Sequence, residues 1–271
     1  MQEVGERLRA EDAAQIERHF QSDERVQSSA RPERLYISMD AAKAHTNGSW
    51  HDIKVAAIYS GKRGADGFDE ATELRYEAIE EGCEAFGRRV YRRAVAAGLE
   101  HAKQVVALGD GADWIWNQTN EHFGGCIEIL DYYHACEHVW KLAHALYGES
   151  SPQGERWARE HCRALREKGP ARLLRAMKRR VAKTPAAREA LRLEGAYLTA
   201  HRRRMRYPAF RRAGLMIGSG PVEAACKVVV GQRLKGAGMR WTSTGADAVL
   251  AIRTALLNGE TDRIARSARA V

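Results

Sequence analysis

Apolar and polar residues alternate in LYISMD, from Leu35 to Asp40, the pattern of a strand that ends on an acid. Asn47-Gly48 follows and is a strong hairpin signal, so a second strand is predicted over about 50–59. SGKRGADGFD, residues 60–69, reads as a loop, with a third short strand near 72–76. From about 78 to 97 the period changes to that of a helix, with Ile79, Cys83, Phe86, Val90 and Val95 on one face. QVVALGD (Gln104 to Asp110) and CIEILD (Cys126 to Asp131) are short apolar runs that each close on an acid, as buried strands do. Helices are predicted after each of them, over 112–122 and through Tyr147.

Three paired strands, helix, strand, helix, strand, helix is an α/β order. It suits a mixed sheet flanked by helices. Beyond residue 150 the character changes. Residues 151–206 are strongly basic, carry no strand pattern, and read as two or three helices broken near Lys168-Gly169-Pro170 and Thr184-Pro185. Gly218-Ser219-Gly220-Pro221 then opens a new helix, with Pro221 near its first turn and Glu223 just inside. A last helix is expected over about 245–257, followed by a fraying tail. The expected organisation is an N-terminal helical segment with a polar link, QSSARPE (1–30), and the first part of the α/β core (31–150). An all-helical insertion (151–212) and the rest of the core with the C-terminal helices (213–271) complete it.

Charge narrows the partners. Lys and Arg number 44 against 35 acids, a net charge of +9, which favours polyanions through counterion release. No apolar run approaches the roughly 20 residues of a membrane span, so no membrane partner is expected. The charged start, MQEVGERLRAEDAAQIERHF, lacks the apolar centre of a signal peptide, and a cytoplasmic location is the expectation. Five scattered cysteines with no CxxC pair argue against a disulfide framework.

Three acids stand out by position: Asp40 and Asp110, each closing a predicted strand, and Glu223, in the first turn of a helix after a glycine-rich loop. Strand ends cluster along one sheet edge, and a late helix can bring a third carboxylate against them. Carboxylates converging in this way repel one another unless a cation lies between them. Mg²⁺ is the natural partner, as a hard ion that takes oxygen ligands and retains waters. Two such ions would serve phosphodiester chemistry. Taken singly, an Asp at a strand end is as often a cap or turn former.

The segments LYISMDAAKAH, VVALGDGADWIWN, ILDYYHACEHVWKLAHALYG and IGSGPVEAACKVVVGQRLKGAGMRW strongly resemble bacterial insertion-sequence transposases of the ISKra group, within the wider Mutator-like set of DDE enzymes. The resemblance runs from about Leu35 to Asn258. It implies an RNase H-like core with the acid triad on Asp40, Asp110 and Glu223, binding Mg²⁺ or Mn²⁺ as a pair of ions. The implied activity is metal-dependent cleavage and joining of double-stranded DNA at transposon ends, by a homo-oligomer on DNA. Asp131 and His134 of DYYH match the accessory C/DxxH motif of that set, in a bracing or a substrate-ordering role. Family members carry a longer region before the first catalytic strand, whereas 34 residues precede Leu35 here. A truncated or repurposed copy that binds DNA without transposing is therefore the alternative.

A rival motif overlaps the same segment. His134-Ala135-Cys136-Glu137-His138 satisfies HxxEH, which on a helix can hold zinc for a peptidase but needs a third ligand. Past Glu223, Lys227, Arg233, Lys235, Arg240 and Trp241 lie among glycines and are candidate DNA contacts, with a solvated face, or a core role for Trp241, as the alternative. The run His201 to Arg206 is either a phosphate track or a solvated face. Of Trp114 and Trp116, one is expected to be buried and the other to face the helical insertion.

Overall fold

The computed structural model describes residues 1–21 and 28–270. Of the polar link QSSARPE, Gln27 lies outside the described residues. Helix α1 (Gln2–Gln21) precedes an antiparallel meander of β1 (Arg34–Thr46), β2 (Ser49–Arg63) and β3 (Asp69–Ile79). Asn47 and Gly48 turn the first hairpin, both with positive φ (47° and 85°), as a two-residue turn matched to strand twist requires. Helix α2 (Cys83–Ala96), β4 (Gln104–Gly109), α3 (Asp113–His122), β5 (Ile127–Leu130) and α4 (Tyr132–Tyr147) follow. The result is an α/β chain with one open, mixed sheet ordered β3-β2-β1-β4-β5 and flanked by helices. β2 is antiparallel to both of its neighbours, and β4 is parallel to β1 and β5.

Several boundaries move. β1 runs six residues past Asp40, because β2 pairs with it along its whole length up to Thr46. β4, in contrast, pairs with β1 only from Arg34 to Met39. Asp40 is thus the first residue of β1 without a β4 neighbour: it marks the end of the parallel ladder, not the end of the strand. Residues 60–63 and 69, expected in a loop, continue the β2–β3 ladder, leaving only 64–68 as the turn. Ala78 and Ile79 finish β3 fully buried, and the helix predicted from 78 starts at Cys83. The half-buried pattern of LYISMD also misleads, since Leu35 through Met39 are all buried. The polar side of this strand is covered because Tyr36 stacks on Tyr59 at 5.1 Å and donates its hydroxyl to Asp69 at 2.6 Å.

The basic stretch is helical: α5 (Pro152–Lys168), α6 (Ala171–Lys178), α7 (Pro185–Ala200) and α8 (Tyr207–Arg212). Ser151 and Thr184 cap the helices that begin with Pro152 and Pro185, each accepting from a backbone N–H. These helices pack on α4 and on one another. α9 (Gly220–Ala225) runs on through a π-helical segment (Cys226–Gly231) into α10 (Gln232–Leu234) and lies against β1 and β2. α11 (Ser243–Leu257) covers β3, and α1 packs on α11. Gly5 permits that approach: a Cβ there would meet the Ala248 carbonyl oxygen at 2.3 Å. The expected frayed tail is instead α12 (Thr261–Arg269), held by Arg263 bridging to Glu11, Asp12 and Glu260.

Beneath these helices lies a buried ion network. Glu77, 3% exposed, is bridged by Arg9 at 3.3 Å and Arg93 at 3.2 Å. Burial would raise its pKa, but Arg93, Arg9 and Arg89 outweigh burial and hold the carboxyl below its ordinary 4.5. Among the described residues no helix is long and apolar enough to cross a membrane, and all five cysteines are free.

Candidate active site

Where the parallel ladder ends, the chain gathers its acids. Asp40, Asp110, Asp131 and Glu223 line one cleft of about 300 Å³, together with Met39, Tyr133, His134, Glu137, Ser219 and Val222. Asp40 follows the last β1–β4 pair, Met39 with Gly109, and Asp110 follows Gly109 on the neighbouring strand. The end of the parallel pairing at Met39 and Gly109 places both acids side by side. Glu223 arrives from α9, which packs across β1.

Each of the three has one oxygen held by its own surroundings. Asp40 Oδ1 accepts from the Ala41 N–H at 2.7 Å, and Asp110 Oδ1 from the Ala112 N–H at 2.9 Å. Glu223 Oε1 accepts from the Ser219 hydroxyl at 2.8 Å. Asp40 Oδ2 faces the Cys226 thiol at 3.5 Å. Burial raises the pKa of Asp40, and the charges of Asp110 and Glu223 add to the rise. Burial and the Asp40 charge push the Cys226 thiol upward too, so it remains a protonated donor. Asp40 therefore feels the charges of both Asp110 and Glu223.

Asp131 differs. It is 2% exposed, caps α4, and spends both oxygens on backbone: Oδ1 on the His134 N–H and Oδ2 on the Ser219 N–H, each at 2.6 Å. Its own N–H reaches the Gly109 carbonyl at 2.8 Å. It thereby clamps the end of β4, the start of α4 and the loop that carries Glu223 to one another. His134 lines the cleft with its Nε2 3.2 Å from His138 Nε2 and its Nδ1 3.4 Å from Glu137. His138 is hydrogen-bonded to Glu194 and stacks on Tyr197, whose hydroxyl donates to the Asp110 carbonyl at 2.6 Å. Burial lowers the His138 pKa in spite of Glu194, so the ring is neutral at neutral pH. α7 thus props the Asp110 loop through Tyr197.

Among the described residues no three of His, Cys, Asp and Glu stand close enough to form a ready-made metal site. The three acids share a cleft without closing into a ligand shell. Among the described residues the two imidazoles of the HxxEH pair are not joined by a third donor into a metal site.

The candidate DNA contacts fall into two groups. Lys227, Arg233, Lys235 and Arg240 are exposed along the π-helical segment, α10 and the loop after it. Trp241 is half-buried and packs on the core, and its backbone bridges β1, accepting from the Asn47 N–H at 2.9 Å and donating to the His45 carbonyl at 3.1 Å. It pairs with Thr46, six residues along β1 from Asp40, or about 20 Å at the usual rise per residue. In the Arg-rich run Arg202 and Arg203 are exposed, whereas Arg204 is held by Glu128 at 2.7 Å and by the Trp116 ring at 4.0 Å. Trp116 is the buried member of its pair, and it is also the one that meets the basic helical stretch, through His201 and Arg204. Trp114 packs on Phe86.

Sequence reasoning gave no site role to Ser219, Cys226 or Tyr197. Cys226 lies three residues after Glu223 and Ser219 four before it, so helical spacing held that signal. Tyr197 gave none, because only the packing of α7 on α4 brings it to the Asp110 loop. Compared with known proteins, the chain matches no protein-family model and no curated protein.

Proposed function

We propose that this chain is the catalytic core of a DNA transposase, an RNase H-like polynucleotidyl transferase that cuts and joins DNA strands with Mg²⁺ or Mn²⁺. The observation that carries the reading is the meeting of Asp40, Asp110 and Glu223, from the end of the parallel β1–β4 ladder and a late helix, in one cleft. The sheet order, with an antiparallel meander beside parallel β4 and β5, is compatible with an RNase H-like core. The likeness of four sequence segments to ISKra-group transposases supports it further, as does the net charge of +9.

The donor chemistry fits a hard divalent ion. All three groups are carboxylates, and the pKa of Asp40 is raised first by burial and then by the charges of Asp110 and Glu223, charge that a cation would offset. Asp40, Asp110 and Glu223 would hold the ions. Bound as a pair, Mg²⁺ or Mn²⁺ supplies charge compensation for the attacking and leaving oxygens of a phosphodiester. The chain's own groups do the positioning: the Ala41 and Ala112 N–H groups and the Ser219 hydroxyl fix one oxygen of each acid, and Asp131 fixes the loop beneath Glu223. Lys227 and Lys235, exposed beyond Glu223, are suited to the strand's phosphates. Double-stranded DNA is the substrate, and paired-end chemistry calls for at least two copies of the chain.

The test is nicking of labelled duplex DNA with Mg²⁺ or Mn²⁺, comparing the wild type with Glu223→Gln. Cleavage that requires the metal and is lost in the variant is the expected result. Equal cleavage by both proteins would remove Glu223 from the site and the reading with it.

A further inference from the structure

Beside the acid cleft lies a second hollow of about 380 Å³, walled by Phe68, Tyr133, Arg166, Arg211 and the strip from Leu215 to Gly218. Tyr133 lines both cavities. We propose that this hollow is a subsite for a single nucleobase swung out of the strand whose phosphate lies at the three acids, an inference that rests on the transposase reading above.

Four observations carry it. Tyr133 is 67% exposed, an unusual position for a large ring on a site-forming helix. Its placement is nonetheless fixed, because one edge lies against Gly218, where a Cβ would come within 2.9 Å of the ring, and Tyr132 meets it edge-on at 5.3 Å. The glycine loop that delivers Glu223 is thus the same loop that seats Tyr133. Opposite, Arg211 lies over the Phe68 ring at 5.4 Å, and Arg166 is exposed at the rim. Neither guanidinium is paired with a carboxylate among the described residues. The composition is that of a stacking platform with cations to track a backbone, as single-strand sites use. The volume suits one small planar group and no duplex. Because the two cavities meet at Tyr133, a nucleotide can place its phosphate in one and its base in the other without a bridging segment.

The test is binding of a fluorescein-labelled 12-nucleotide single strand, followed by anisotropy with Ca²⁺ in place of Mg²⁺, alongside the nicking assay. Tyr133→Ala is expected to weaken binding roughly five- to 150-fold, the range for losing one base–aromatic stack, and Tyr133→Phe to restore it. Gly218→Ala, which keeps the tyrosine but displaces its ring, should reproduce the loss. A strand carrying 5-iododeoxyuridine should photo-crosslink to Tyr133 or Phe68. If the wild type nicks DNA in a metal-dependent manner while Tyr133→Ala binds the strand within twofold of it, the subsite is overturned and the transposase reading stands. If the wild type neither binds nor nicks, both fall together.

Discussion

Asp131 tests most directly whether the cleft's fourth acid is a ligand or a clamp. Its two oxygens take two backbone N–H groups, His134 and Ser219, from segments far apart in sequence. Asp131→Ala removes the cap of α4, which costs about 1 kcal/mol, and leaves the Ser219 N–H buried without an acceptor, which costs about 1–3 kcal/mol. The sum is roughly 2–4 kcal/mol, a fall in Tm of roughly 4–16 °C in a chain of this size. Asp131→Asn is the sharper probe. Its single oxygen can serve one N–H, while its amide must face the other, donor against donor, at about 1–3 kcal/mol. Urea unfolding in EDTA, followed by circular dichroism, reads both variants without any contribution from metal. If both unfold within about 0.5 kcal/mol of the wild type, the clamp does not exist. If they are stable in EDTA yet lose a Mg²⁺-induced rise in Tm that the wild type shows, Asp131 is a ligand and its backbone bonds are incidental.

Other outcomes follow from the same geometry. Asp40 has a raised pKa, so its charged form opposes folding at neutral pH; Asp40→Asn should raise Tm in EDTA and abolish stabilisation by Mg²⁺, which at about 100 times Kd would give the wild type about 2.7 kcal/mol. A lower Tm for this variant in EDTA would contradict the charge argument. Glu77→Gln leaves Arg9 and Arg93 with only their outer partners, Asp247 and Glu260, and should cost less than the about 3–5 kcal/mol of an uncompensated buried charge in urea unfolding at neutral pH. Because the folded pKa of Glu77 lies below its ordinary 4.5, its contribution is present above that value and is lost as pH falls through the folded pKa. The gap between wild type and variant should therefore close in acid, and a gap independent of pH would refute the assignment. Gly5→Ala drives a methyl into the Ala248 carbonyl and should loosen α1 from α11, costing about 1–3 kcal/mol and deprotecting α1 amides in hydrogen exchange.

The element order was legible because hydrophobic period alternates between strand-like and helix-like stretches along the core, although several boundaries moved. The acids closing QVVALGD and CIEILD sit where the strands stop, since those strands are short and buried. β1 hid its true length because AAKAHT carries little apolar signal; its pairing to Ile53 and Val55 on β2, not its own composition, holds it extended. Ala78 and Ile79 fit a helical face in sequence, yet both complete β3, where register with Lys54 and Val55 decides. The tail read as frayed because its stability comes from Arg263 and its partners on α1, contacts that no local pattern encodes. In the cleft the three acids were legible from position, but Asp131's work was not: two N–H groups, one from each side of the basic helices, meet on a side chain whose sequence context shows only a cap.

The chain's return to the sheet also sets an order in time. The Tyr132 N–H donates to the Ile217 carbonyl at 2.8 Å, so the whole basic excursion leaves and re-enters the core at one point. Contacts within the β1–β2–β3 meander are local and close early, whereas those joining Gly218 and Glu223 to Asp131 and Asp40 await closure of a long loop. On the ribosome, Asp40 and Asp110 are brought side by side once β4 has emerged, and Glu223 joins them only after α5 to α8 have been made and packed. A growing chain that has made β4 but not α9 thus carries two of the three cleft acids and no complete cleft. On the function proposed above, cutting competence would arrive only with α9, after the basic helices are in place.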